Sequence, residues 1–197
     1  MPVLHLIAGP HGAGKSALYD YLIAPRHPAL PFVNAQRHAA QQLRHVADAS
    51  QRARSALAWA DAERDALLQA GASFVTETAF SHPSRLALIT DARSRGYEVV
   101  LYAIAVDEPR LLLQRVTQRV REGGAAVPTH KVLERYVRCL ENFRRAVRLA
   151  DLVFLLDAAD ASEGGPRLIA SITSGQMQLH TVLRPRWVDK VLGFAEG

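Results

Sequence analysis

Gly9-Pro10-His11-Gly12-Ala13-Gly14-Lys15-Ser16 follows the pattern G-x-x-x-x-G-K-[ST], the phosphate-binding P-loop. Val3 to Ala8, just before it, is an apolar run that predicts a short buried strand. Ser16 to Ile23, just after it, predicts the start of a helix. Strand, Gly-rich turn and helix N-terminus are the context in which such a loop binds phosphate. The glycines let successive backbone N–H groups curl inward around an anion. The helix start adds unpaired N–H donors and a positive dipole end. Lys15 is expected to bridge β- and γ-phosphates, and the Ser16 hydroxyl to help hold Mg²⁺. The whole stretch from Gly9 through Ala17 is therefore the expected nucleotide cradle. His11 reads as a variable position inside it.

The lysine stands out against its background. The chain has three lysines, Lys15, Lys131 and Lys190, among 24 basic residues, the rest being arginine. Ordinary surface decoration in so arginine-rich a chain would have been arginine.

Working outward, strand and helix patterns alternate, which predicts an α/β fold of the P-loop NTPase type with a parallel five-stranded sheet flanked by helices. Leu30 to Asn34 reads as a second strand, Ser73 to Thr76 as a third, and Leu152 to Leu156 as a fifth. Glu98 to Val106 is nearly continuously apolar, the mark of a central parallel strand. The span from Arg37 to Gln69 reads as helical, with Asp48 to Gln51 marking a break between two helices. Helices are also predicted over 83–95, 108–122 and 129–149, the last N-capped by Thr129. Residues 1–160 form the expected kinase-like domain. Residues 161–197 read as an appendage on it, a small β-hairpin around Ser174-Gly175 followed by a helix over 185–194.

Composition bounds the rest. The chain has 197 residues, 49% hydrophobic and 22% charged, with a net charge of +5. That balance suits an anionic substrate, and no aromatic stacking motif or recognition helix accompanies it to argue for specific nucleic-acid binding. One cysteine permits no internal disulfide and suggests a reducing, cytoplasmic setting. No signal-peptide layout precedes the P-loop, and no apolar run approaches the roughly 18 residues of a membrane helix.

Glu77-Thr78 stands at the end of the third strand, and ligands in open parallel sheets bind beyond the carboxyl ends of strands. Glu77 is thus aimed at the P-loop crevice, to bind Mg²⁺ through water, hold the acceptor, or take its proton. Asn34 ends the second strand at the same edge. His82, five residues on from Glu77, is a weaker candidate for the acceptor pocket. Nine arginines lie between Arg110 and Arg148. Arg115 and Arg119, four apart, share a helix face, and Arg121 precedes Gly123-Gly124. Such arginines can close over a moving phosphoryl group.

Taken in order, Gly9 to Ser16, Phe32-Val-Asn-Ala35, Phe74-Val-Thr-Glu-Thr78, the arginine helix with Arg121-Glu-Gly-Gly-Ala-Ala-Val-Pro128, and Asp151 resemble the zeta-toxin-like group of P-loop kinases. The resemblance spans roughly residues 3–160. It implies an ATP- or GTP-dependent kinase that phosphorylates a hydroxyl of a small molecule, in the toxin members a UDP-amino sugar, and a possible antitoxin protein as partner. By the same resemblance Lys15 and Ser16 contact nucleotide and Mg²⁺, Glu77 and Thr78 the acceptor, and Arg115, Arg119 or Arg121 the moving phosphoryl group. One position departs. The family commonly has an aspartate base two residues after the Asn of the second block, and here Gln36 stands there. An amide orients a hydroxyl but accepts no proton near neutral pH. Three readings follow: another base, Glu77 first; a transfer that needs little base help, since its transition state is loose; or a nucleotide-binding protein with a regulatory role in place of turnover.

Overall fold

A computed structural model describes residues 1–121, 128–160 and 165–194. Seven strands form one sheet: β1 (Val3–Ala8), β2 (Phe32–Val33), β3 (Phe74–Thr78), β4 (Glu98–Ala105), β5 (Leu152–Asp157), β6 (Arg167–Thr173) and β7 (Gln176–Leu179). Their order across the sheet is β2-β3-β1-β4-β5-β6-β7. The first five run parallel, and β6 and β7 add antiparallel to β5. The expected five parallel strands are present. The hairpin around Ser174-Gly175 also forms, but it extends this sheet and raises the count to seven.

The long apolar runs follow from burial on both faces. On β1, Leu4, Leu6 and Ala8 enter one core, while Ile7 enters the other. On β4, Val99, Leu101, Ala103 and Ala105 face the first core, and Val100, Tyr102 and Ile104 the second. Successive side chains alternate faces, so a strand covered on both sides is apolar along most of its length.

Helices α3 (Ala49–Gln69), α4 (Ser84–Ser94) and α7 (Arg186–Leu192) supply the first core through residues such as Leu68, Ile89 and Trp187. Leu18 of α1 (Lys15–Leu18) and Leu112 of α5 (Pro109–Arg121) supply the second. Helix α6 (Thr129–Ala146) contributes Phe143 to the first core and Tyr136 to the second. Its Cys139, the chain's one cysteine, is fully buried in the first core.

Several local expectations change. Helix α1 runs into a π-turn over Tyr19–Ile23, with Ala24 N–H donating to the Tyr19 carbonyl. The span after β2 is α2 (Ala35–Gln42), then a break over 43–48, then α3, capped by Asp48, whose Oδ1 accepts from Gln51 N–H at 2.6 Å. The second strand shrinks to two residues because Asn34 leaves it to cap α2. Thr129 is not a cap: Pro128 holds the position before α6 and no side chain bonds there. Proline pre-sets the backbone but offers no acceptor oxygen on its side chain.

Candidate active site

The P-loop leaves β1 between β3 and β4. Gly9 N–H donates to the Thr78 carbonyl at 3.2 Å, and a Cβ at Gly9 would collide with the backbone oxygen of Ile104 on β4. Gly12, at φ 83°, also passes close to the Leu112 backbone on α5, where a Cβ would come within 2.9 Å of the Leu112 oxygen. Glycine is required at both places by contact, not only by conformation.

Lys15 is buried at the first position of α1. Its Nζ donates to the Pro10 carbonyl at 3.0 Å and lies 3.8 Å from Glu77 Oε1. Burial pushes its ammonium below the ordinary lysine value, and the Glu77 carboxylate partly restores it. Glu77 Oε2 accepts from Ser16 Oγ and from Asn34 Nδ2, each at 2.7 Å. Asn34 does double duty. Its Oδ1 caps α2 by accepting from the N–H groups of Gln36 and Arg37, which frees the amide nitrogen to hold Glu77. Four predicted residues, Lys15 and Ser16 of α1, Asn34 capping α2 and Glu77 of β3, thus form one polar cluster.

Ser16 and Glu77 present a hydroxyl and a carboxylate side by side. That oxygen set suits Mg²⁺, which takes one or two protein oxygens and completes its shell with phosphates and water. Among the described residues no three histidine, cysteine or acidic groups gather into a protein-only metal cage.

The arginines divide. Arg115 Nη2 donates to the Ala158 carbonyl at 2.7 Å and its Nη1 reaches the Gly12 carbonyl at 3.5 Å. It clamps the P-loop to the chain leaving β5. Arg119, one turn on, donates from Nη2 to Gln36 Oε1 at 2.7 Å and so spans from α5 to α2. Arg121 ends α5 exposed, two residues past Arg119 and on a different face, beside Gln118 and Thr117. The Gly123-Gly124 turn expected after it lies outside the described residues.

The sequence missed the pair His11–Arg135. Arg135, on α6, donates from Nη1 to His11 Nε2 at 3.0 Å. Arginine only donates, so His11 Nε2 carries no proton there and Nδ1 does. Burial, then the charges of Lys15, Arg135 and Arg119, push the His11 imidazole down to about 3. Three cations therefore surround a neutral ring inside the P-loop. No sequence spacing links positions 11 and 135; only the packing of α6 beside the loop brings them together.

Two other predicted residues serve local structure. Thr78 Oγ1 accepts from Phe80 N–H at 3.2 Å. His82 is exposed and caps the start of α4, its Nδ1 accepting from Ser84 N–H at 3.2 Å and lying 2.8 Å from Ser84 Oγ. Asp151 likewise anchors β5, accepting from Val99 N–H and pairing with Arg93. A further unforeseen support is Phe80, held at φ 55° two residues past the end of β3, the strand that carries Glu77. Its carbonyl accepts from Asn142 Nδ2 at 2.9 Å, and its ring stacks near Phe143.

The sequence matches the family described as Zeta toxin over residues 1–161. The chain belongs to the zeta toxin family. Among curated proteins the sequence has no significant match. Solved structures share the fold at low identity. An AvrRxo1-ORF1:AvrRxo1-ORF2 complex with sulphate ions superposes with a TM-score of 0.71 at 19% identity, covering 97% of this chain and 63% of that one. The same complex with ATP gives 0.71 at 20%, covering 91% and 61%. A structure of the PezAT chromosomal toxin–antitoxin system of Streptococcus pneumoniae gives 0.67 at 14%, covering 100% and 80%. The chain thus spans less than two thirds of the AvrRxo1 chains it superposes on. The family is that of the zeta toxins, and the fold is the one these structures share.

Proposed function

We propose that this protein transfers the γ-phosphoryl group of ATP to an oxygen of a small anionic molecule. The observation that carries the reading is the cluster Lys15–Glu77–Ser16–Asn34 at the carboxyl ends of the parallel strands. Around it, α5 and α6 bring Arg119 and Arg135 to the second-strand side and the P-loop.

Each group has a task. Backbone N–H groups from Gly12 to Ser16 would hold the β- and γ-phosphates, and Lys15 would neutralise charge between them. Mg²⁺, bound by Ser16 and through water by Glu77, would supply further positive charge to the phosphate oxygens. Arg135 and Arg119 would shift from His11 and Gln36 to the equatorial oxygens of the moving group. Arg115, already bonded to two backbone segments, keeps the P-loop in shape. We place it and Arg121 outside the reacting shell.

The family resemblance adds a finer acceptor, a hydroxyl of a UDP-amino sugar, and an antitoxin-type protein partner. The PezAT structure is of a toxin–antitoxin system, and that likeness supports the partner reading for this chain. The test is phosphoryl transfer from γ-labelled ATP with Mg²⁺ to an acceptor panel headed by UDP-N-acetylglucosamine, with Lys15→Ala as control. Label in any acceptor, lost in the control, is expected. GTP in place of ATP decides the donor. A second reading, a nucleotide-binding regulatory protein, is favoured by one observation, the amide at Gln36. ATP binding with no transfer to any acceptor would select it.

A further inference from the structure

We infer that β7 is a docking edge, where an acidic, extended segment of a partner protein joins the sheet as an eighth strand. The inference stands apart from the phosphoryl-transfer reading, because the edge shares no residue with the P-loop cluster.

Among the described residues the sheet ends at β7, and all four residues of that strand are exposed. Its pairing with β6 decides which backbone groups remain open. His180 N–H donates to the Ile169 carbonyl at 2.9 Å, so positions 169 and 180 form a bonded pair. Antiparallel pairs alternate between bonded and non-bonded. By the register, Ser171–Gln178 and Thr173–Gln176 are therefore bonded, while Ala170–Leu179 and Ile172–Met177 are not. The N–H and C=O groups of Met177 and Leu179 thus point away from β6, toward the outer edge. Sheet edges are commonly blunted by charge or proline. Gln176-Met177-Gln178-Leu179 carries neither.

The side chains set the pattern an added strand must have. Met177 stands across from Ile172, which packs on the first core, so Met177 and Leu179 lie on that face of the sheet. They stay 41% and 40% exposed, room enough for a neighbour. Beside Met177 runs a groove of about 400 Å³, lined by Val147, Ala150, Ile172, Leu192 and Phe194. Gln176 and Gln178 fall on the opposite face. A strand laid against β7 would put every second side chain beside Met177 and Leu179, and the others beside the glutamines. Apolar residues alternating with polar ones fit that surface.

Charge selects the occupant. Arg148 also lines the groove, and the Arg144 guanidinium reaches Gly193, between the lining residues Leu192 and Phe194. Both arginines are exposed. Two adjoining acids are already matched: Asp151, beside Ala150, pairs with Arg93, and Asp189, on α7, pairs with Arg184. Arg184 also lies over the Phe194 ring, 5.0 Å from its centroid. The rim is cationic around an apolar floor. A second copy of the chain would bring the same arginines and a further net charge of +5. A segment carrying aspartate or glutamate meets them with opposite charge.

The test uses the full chain and a short fluorescein-labelled peptide of alternating valine and threonine with glutamates at both ends. Fluorescence anisotropy is expected to show saturable binding, at least about tenfold tighter than for the same peptide ended in lysines. Arg148→Glu is expected to weaken it by a similar factor. Lys15→Ala is expected to bind the peptide as the unaltered chain does, so failure of the kinase reading and failure of this one are separable. Hydrogen exchange identifies the mode. With peptide bound, the Met177 and Leu179 amides are expected to slow at least about tenfold, and the Gln178 amide, already bonded to Ser171, to stay unchanged. Leu179→Pro removes an outward N–H. It is expected to lose about fivefold more affinity than Leu179→Ala, with both variants melting close to the unaltered chain. Equal binding of the two peptides, or binding without amide protection, overturns the acidic strand. No binding of the acidic peptide overturns the edge as a docking site. A dimer in sedimentation that Leu179→Pro abolishes makes a second copy the occupant and overturns the partner. Glu196 lies outside the described residues. A gain of about tenfold in peptide affinity from Glu196→Gln would make the chain's own tail the occupant, and overturns the partner likewise.

Discussion

At the scale of single residues, charge and burial set the behaviour of the site. Lys15→Ala removes the one ammonium in the P-loop and is expected to abolish transfer with circular dichroism unchanged. Arg135→Ala is expected to lower kcat by about 10²-fold or more, because charge on the moving phosphoryl group loses a partner. Steady-state kinetics separates this from Arg121→Ala, for which little change is expected. The buried histidines carry a pH signature. Burial, with His27 nearby, depresses His5 to about 4, and His11 falls to about 3, both from 6.5. Above 6.5 both are neutral folded or unfolded, and their full stability is present. As pH falls below 6.5 the unfolded chain binds protons first, so stability drops, by at most about 1.4 kcal/mol per histidine per pH unit. Melting curves at pH 7.5 and pH 5 should show that loss, and His5→Gln should reduce it. At this scale the sequence was most legible where a motif fixes both identity and spacing, as at Gly9 to Ser16. It was least legible for Arg135, whose role depends on a contact 124 positions away.

At the scale of elements, caps and loop supports decide where the strands deliver their side chains. Asn142→Ala leaves the carbonyl of Phe80, itself held at positive φ, without its buried donor. A loss of about 1–3 kcal/mol is expected. Urea unfolding checks it, and weaker ATP-dependent transfer should accompany it because the strained turn follows Glu77. Asp107 accepts from the N–H groups of both Arg186 and Trp187 and so caps α7. Asp107→Ala is expected to cost about 1 kcal/mol by the same measurement. Strand and helix identity was readable from periodicity, because both faces of the sheet are covered and the runs are continuous. Ends were less readable. Asn34 reads as the end of a strand, yet its side chain serves α2 and Glu77 together, and propensity carries no record of two partners.

At the scale of the whole molecule, the last strands complete the sheet. β6 covers the edge of β5, and α7 buries Trp187 against Phe143 of α6. A chain ending at residue 166 would expose the β5 edge and that apolar seat. It is expected to be insoluble or to melt far below the full chain in a thermal scan. The sequence marked the hairpin but not its docking, since short alternating strands look alike whether they stand apart or join a larger sheet. One consequence concerns Cys139. It lies fully buried between the helices and the sheet, and burial pushes its thiol well above the ordinary range. A thiol-reactive dye can meet it only when the layers part. Labelling speed is therefore an internal clock for opening, readable at a single atom with no added probe site. Where opening must release ATP, saturating ATP should slow that clock by a factor of about one plus the ratio of the ATP concentration to its Kd, so one sulfur reports on the grip of a loop more than a hundred residues away.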